Sequence, residues 1–359
     1  MKKSALVFTS LFIFASAIPA QTIIENPENP LNKNAGRVIQ LKEVMRITDA
    51  VANFYFRLPR EIGIAQDGSI FVLDRVDKLY KFDSTGKFVK NLLTKGEGPG
   101  EINEVMNFLL EEDEIILFDA GVNKIIRFDL LGNLIQEFKL EKKRFYALMA
   151  YYKDNYFLVD SKILNYERKS GIKDWGRDLF VVSGKKEIIP TSYSFPGKIS
   201  VSVSEKKGNL EFLNRLRVAI KDHRFLYINH TQEYLIKLLD LEKKKIEKCF
   251  TRKYEKVKAA YQEKSEIPRP EFHNDIQKLL ICKDNLWVLT STIHERKGIL
   301  TDVFNLEGKY LDSFYLPLLK IKQHPFAFPP VMVIKDNHLY VFEKDIEENF
   351  VLVIYEIVD

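Results

Sequence analysis

The chain is poor in the residues that staple small secreted folds or build metal sites. Its 359 residues hold two cysteines, two tryptophans, five methionines and six histidines. Two cysteines exclude a disulfide-dense scaffold. His223, His230, His273, His294, His324 and His338 form neither a His-Glu-x-x-His pair nor any other zinc-ligand spacing. A Gly-x-Ser-x-Gly elbow and a P-loop are both missing, so neither an esterase-type nucleophile nor a nucleotide cradle is supported. Charge of one sign is scarce too: 55 Lys and Arg face 50 Asp and Glu, a net of +5. Nucleic-acid binding needs a concentrated basic face, so no nucleic-acid partner is expected.

Long apolar runs are confined to the start. Ala5 to Ala17 is almost wholly apolar and too short for a confident bilayer span. Lys2 and Lys3 precede it, and Ala15, Ser16, Ala17 and Ala20 offer cleavage points. Residues 1–20 therefore read as a secretory signal peptide, with an uncleaved anchor as the alternative. The mature chain is expected to be exported, to the periplasm or beyond, without a membrane span.

What the chain has is a repeat. An apolar run, a tight turn, a second apolar run and a further strand ending in a polar turn recur six times. The first turn of each unit falls at Asp67-Gly68, Glu112-Asp113, Asp154-Asn155, Asp222-His223, Asp284-Asn285 and Asp336-Asn337. These spacings suit propeller blades of roughly 40–50 residues carrying insertions. Asp, Asn and Gly fit because they tolerate positive φ or bond their own backbone. Runs such as Ile70-Phe71-Val72-Leu73 and Leu286-Trp287-Val288-Leu289 read as buried strands. The sixth unit stops before its fourth strand, and Gly36 to Lys42 reads as an outer strand with no first three strands before it. A ring closed by the N-terminal strand explains both. The prediction is all-β: a six-bladed propeller of four-stranded antiparallel blades over 36–359, behind a flexible segment at 21–35. Cys249 falls on an outer strand and Cys282 on the next inner one, beyond the ~7 Å Cα limit of a disulfide, so two buried free thiols are expected.

Three insertions break the period: 161–177, 194–214 and 251–274. By the usual propeller path all three decorate one face. Thr251 to Ser265 has a helix-forming composition. Trp175, Phe195, Phe326 and Phe328 fall in loops and would suit a sugar or peptide platform or, equally, a cover over the channel end. Charged residues at the starts of inner strands, Arg60, Glu104, Arg144, Arg215 and Arg217, would ring the channel mouth, with His273 on the same face. Arginines so placed suit anionic ligands; alternatively they pair with Asp74, Asp119 and Asp160 at the ends of second strands.

Asp67 to Asp74, Lys81 to Phe88 and the turn Gly96-Glu97-Gly98-Pro99-Gly100-Glu101 resemble the NHL-type six-bladed propellers, most closely the exported propeller proteins of Bacteroidetes-like bacteria. The likeness spans 36–359 and implies a fold and an exported location. Glu97-Gly98-Pro99 also resembles the Glu-Gly-Pro of gluconolactonase-like propellers, whose glutamate holds a divalent metal; Ca²⁺ would suit such oxygen ligands. The leading expectation is a non-enzymatic scaffold binding a protein, peptide or glycan on the loop-bearing face. A metal-dependent propeller hydrolase or lactonase and a structural subunit of an envelope complex are the alternatives.

Overall fold

The computed structural model describes residues 23–48, 54–74, 78–141, 143–160, 162–163, 170–203, 208–212, 216–259, 270–318 and 331–358. The signal segment, Arg215, His324, Phe326 and Phe328 lie outside them. All regular structure among the described residues is strand, arranged as six sheets. No helix among them is long and apolar enough to cross a membrane.

Each sheet is one blade. Its inner strand runs along the central axis: Pro59–Ile64, Val105–Leu110, Ala147–Tyr152, Arg217–Lys221, Ile276–Cys282 and Met332–Lys335 in blades one to six. The first turns behave as their residues demand. Gly68, Asp154, Asp222, His223 and Asp336 all take positive φ. The outer turns share a second device. Asp83 Oδ1 accepts the amides of Thr85 and Lys87, Asp129 Oδ1 those of Leu131 and Asn133, and Asn305 Oδ1 those of Glu307 and Lys309. A positive-φ glycine follows in each, at 86, 132 and 308. Blade four lacks that glycine, and Lys244 takes the left-handed conformation instead.

Packing closes the ring. Six apolar clusters each join two neighbouring blades, including the seam between the last and the first, where Phe56 meets Phe342 edge-on at 4.8 Å. Fully buried Phe71, Phe82, Phe118, Phe157, Phe250 and Phe304 supply much of the apolar area that favours this arrangement. Blade six is completed by Gln40–Ile47, antiparallel to Phe350–Val358. Ring closure is thus as expected, with the strand a few residues later than the sequence pattern placed it.

Three expectations are corrected. The segment at 21–35 is not wholly flexible: Ile23–Asn26 adds a parallel strand to the outer edge of blade four, pairing Cys249 to Arg252. Arg37–Val38 does the same on blade five, pairing Phe314 and Tyr315. Both satisfy backbone groups that an edge strand leaves open. The first two insertions are not separate loops: Gly171–Ser183 and Ile188–Val203 form one long hairpin, widened by Gly208–Phe212 and Lys162–Ile163. Trp175, Ile199 and Val201 give this ribbon its own small core, and Phe195 packs on His230, so Trp175 and Phe195 are not an exposed platform. The helix expected at 251–265 is not found in its described part, 251–259, which is strand end and coil; 260–265 lie outside the described residues. The two thiols are free and buried, on the outer strand of blade four and the inner strand of blade five.

Candidate functional site

A cavity of about 790 Å³ follows the propeller axis. Pro59, Arg60, Tyr146, Leu216 and the ribbon residue Arg177 line one end; Glu111, Asp222 and His223, from the tight turns, line the other. A smaller cavity of about 240 Å³ continues it on the side of blades five and six, and the two share Arg60, Glu61, Val218, Lys278 and Val331.

The channel wall is built by register. In each blade one residue, in the inner strand or just before it, is paired with an equivalent place on strand two. These are Glu61 (opposite Leu73), Asn107 (Phe118), Ala147 (Val159), Val218 (Ile228), Lys278 (Leu289) and Val331 (bonded to Phe342). All six line the cavity. In blades one, two and five a β-bulge immediately precedes the position. A bulge inserts one residue and re-aims the side chains around it. It is there that the polar members of the ring occur.

Most of these polar groups are spent stitching one blade to the next. Arg60 Nη1 donates to the carbonyl of Val105 at 3.0 Å, and Glu61 Oε2 accepts the amide of Phe108 at 3.0 Å. Asn107 bonds the carbonyl and the amide of Leu148. Arg217 Nε donates to the carbonyl of Gln277 at 3.0 Å. Lys278 is different: among the described residues its side chain makes no hydrogen bond and no ion pair, while its backbone pairs with Leu289. Its nearest charges are Glu61 and Arg217. Both Glu61 and Lys278 are reached by solvent only through the channel. Desolvation raises the Glu61 carboxyl to about 7 and lowers the Lys278 amine from its ordinary value.

Of the charged residues the sequence placed at the channel mouth, only Arg60 among the described ones lines the cavity. Arg217 is buried and braces blade five; Glu104 and Arg144 are exposed, and His273 is half-buried, none of them in the cavity wall. The aspartates proposed to pair with arginines all hold backbone amides. Asp74 accepts the amides of Arg57 and Leu58, and Asp119 those of Asn103 and Glu104. Asp160 accepts the amide of Asp178 and pairs with Lys143 at 2.6 Å. Within the glycine-rich turn the donors are likewise taken: Glu101 accepts from Gly98 and Glu137 from Gly100. It is an inter-blade turn, with Glu97 exposed on it. Among the described residues no three His, Cys, Asp or Glu side chains converge as metal ligands would.

His223 does more than turn the chain. Its Nδ1 lies 2.8 Å from Glu111 Oε2, joining blades four and two across the tight-turn end of the channel. The hydrogen bond to Glu111, aided by Glu112 and Asp222, raises the imidazole pKa. The pair therefore stabilises fully below the unfolded value of about 6.5 and is lost as pH rises through the folded value. Half-exposure limits it to about 1 kcal/mol. Glu111→Gln should return the His223 imidazole to an ordinary titration, read from its ring proton shifts, and should lower stability at pH 5.5 while leaving it unchanged at pH 8.5.

No curated protein matches the chain in sequence. Among the solved structures similar to the chain are two from Bacteroides species. One is a "putative exported protein" of Bacteroides fragilis NCTC 9343, at 11% identity and a TM-score of 0.57, covering 94% of this chain and 100% of that one. The other is a member of the DUF4221 family from Bacteroides vulgatus ATCC 8482, also at 11% identity and 0.57, covering 90% and 99%. Such likeness carries the fold alone. Residues 54–284, well over half of the sequence, match the family described as "6-bladed beta-propeller", DUF5128, and the chain belongs to that family.

Proposed function

We propose that this propeller is an exported, non-catalytic binding protein that takes the end of a glycan or peptide chain into its central channel. The ligand enters from the face bearing the blade-three ribbon. The observation that carries this reading is the axial cavity itself, of a size suited to a small ligand or chain end. Apolar walls and a few fixed polar groups are what such sites use for affinity and orientation. Support for export comes from the signal-like residues 1–20.

The test is a glycan and peptide array probed with residues 21–359 and with Val218→Trp, which fills the channel at its ring position. Binding to one class of chain end, lost in a Val218→Trp protein of unchanged melting temperature, is the expected outcome. Binding indifferent to the plug would overturn the reading. So would turnover of lactones or esters that depends on a divalent ion, as the lactonase alternative requires.

A further inference from the structure

The polar residues at and beside the bulges of the inner strands share one habit, and Lys278 breaks it. Arg60, Glu61 and Asn107 each reach across to the inner strand of the next blade, as Arg217 does just behind the wall. Lys278 is half-buried and lines the channel, so its ammonium is open to whatever occupies that channel. Lys278 stands on the same ring with no acceptor among the described residues. It projects from a bulge at the boundary shared by the two cavities. Its one facing carboxylate, Glu61, lies beyond ion-pair distance and already accepts the amide of Phe108. Arg60 lies beside Glu61, and Arg177, stacked 4.9 Å over Tyr146, flanks the mouth. A path lined by two guanidinium groups thus ends on an ammonium group with an open coordination sphere.

We propose that the channel recognises a ligand by its carboxylate, which seats on the Lys278 ammonium. This rests on the channel-binding reading above and names the chemistry of its ligand. A carboxylate is favoured over a phosphate because Glu61 shares the ring: a monoanion adds one negative charge beside it, a dianion two. Two sources supply such a group, an acidic sugar and a peptide C-terminus, and they are separable by experiment.

Isothermal titration of residues 21–359, at ionic strength matched with NaCl, would use five probes: sodium glucuronate, methyl glucoside, acetyl-Ala-Ala, acetyl-Ala-Ala-amide and inorganic phosphate. One carboxylate probe is expected to bind at least tenfold more tightly than its neutral counterpart, and which of the two does so identifies the source. Lys278→Met should reduce it to the neutral level with no loss of melting temperature, since the substitution removes a cation without a partner. Lys278→Arg should retain part of the preference. The proposal is overturned if the carboxylate probes do not bind, if charged and neutral probes bind alike, if Lys278→Met binds as tightly, or if only phosphate binds. Neutral-probe binding that Val218→Trp abolishes and Lys278→Met leaves intact would sink the carboxylate while sparing the channel. Binding of any probe that survives Val218→Trp would sink both.

Discussion

Asp302→Ala should cost about 3–5 kcal/mol in the free energy of unfolding, the largest single-residue effect expected in this molecule. Asp302 is fully buried between blades four and five. Arg252 reaches it from the outer strand of blade four through Nε at 2.8 Å and Nη2 at 2.7 Å. Tyr234 donates its hydroxyl to one carboxylate oxygen at 2.7 Å and Tyr310 to the other at 2.8 Å. The Arg252 guanidinium in turn lies 5.0–5.3 Å from the ring centres of Tyr234, Tyr254 and Tyr310. Removing the carboxylate strands a buried cation and two buried hydroxyls together, and an uncompensated buried charge is what makes such losses large. Asp302→Asn keeps the shape and one acceptor, so it should cost less than Asp302→Ala. Urea denaturation of the three proteins checks both statements; near-equal midpoints would mean that the node is not a principal tie between the blades.

Deleting residues 21–47 should lower the melting temperature by roughly 10 °C or more. The deletion removes the fourth strand of blade six and both strands laid on the edges of blades four and five. Ile39 and Ile47 are each about 95% buried. Their burial alone contributes about 3–6 kcal/mol, at about 1.5–3 kcal/mol per side chain. At roughly 2–4 °C per kcal/mol this sets the expected scale. Asn26 adds a specific tie, donating to the carbonyls of Thr251 and Gly308 and accepting the amide of Tyr310. A synthetic peptide spanning 23–48 added back should restore part of the loss. An unchanged melting temperature after deletion would show that the seam holds without its closing strand.

The architecture was legible in the sequence because turns and strand periods are local. Asp-Gly and Asp-Asn pairs stand where the backbone turns left-handed, and the missing fourth strand of the last unit pointed directly to closure. The channel was less legible. Lys278 stands in Ile276-Gln277-Lys278-Leu279-Leu280, where simple alternation gives no reason to expect a side chain in the lumen. The bulge that re-aims it is a matter of pairing with Leu289, which no single strand records. Glu61 and Arg60 have the same cause, and there the sequence pattern singled out one of two adjacent residues. The ribbon of blade three was read as two insertions because its halves, 171–178 and 194–203, lie apart in sequence and pair only in space. Arg217 misled for the opposite reason: charge suggested function, while burial assigns it to a backbone carbonyl.

The closing strand also fixes when the molecule can become native. Gln40–Ile47 pairs with Phe350–Val358, so two segments separated by most of the chain must meet before the ring is complete. Loop-closure entropy of that contact comes first and its reward last. Blades one to five can pair strand to strand as each is made, whereas blade six waits with the open side of Phe350–Val358 available to other chains. Refolding should therefore show a late, concentration-sensitive phase, and protection of the backbone amides of Gln40–Ile47 against hydrogen exchange should be the last to arise.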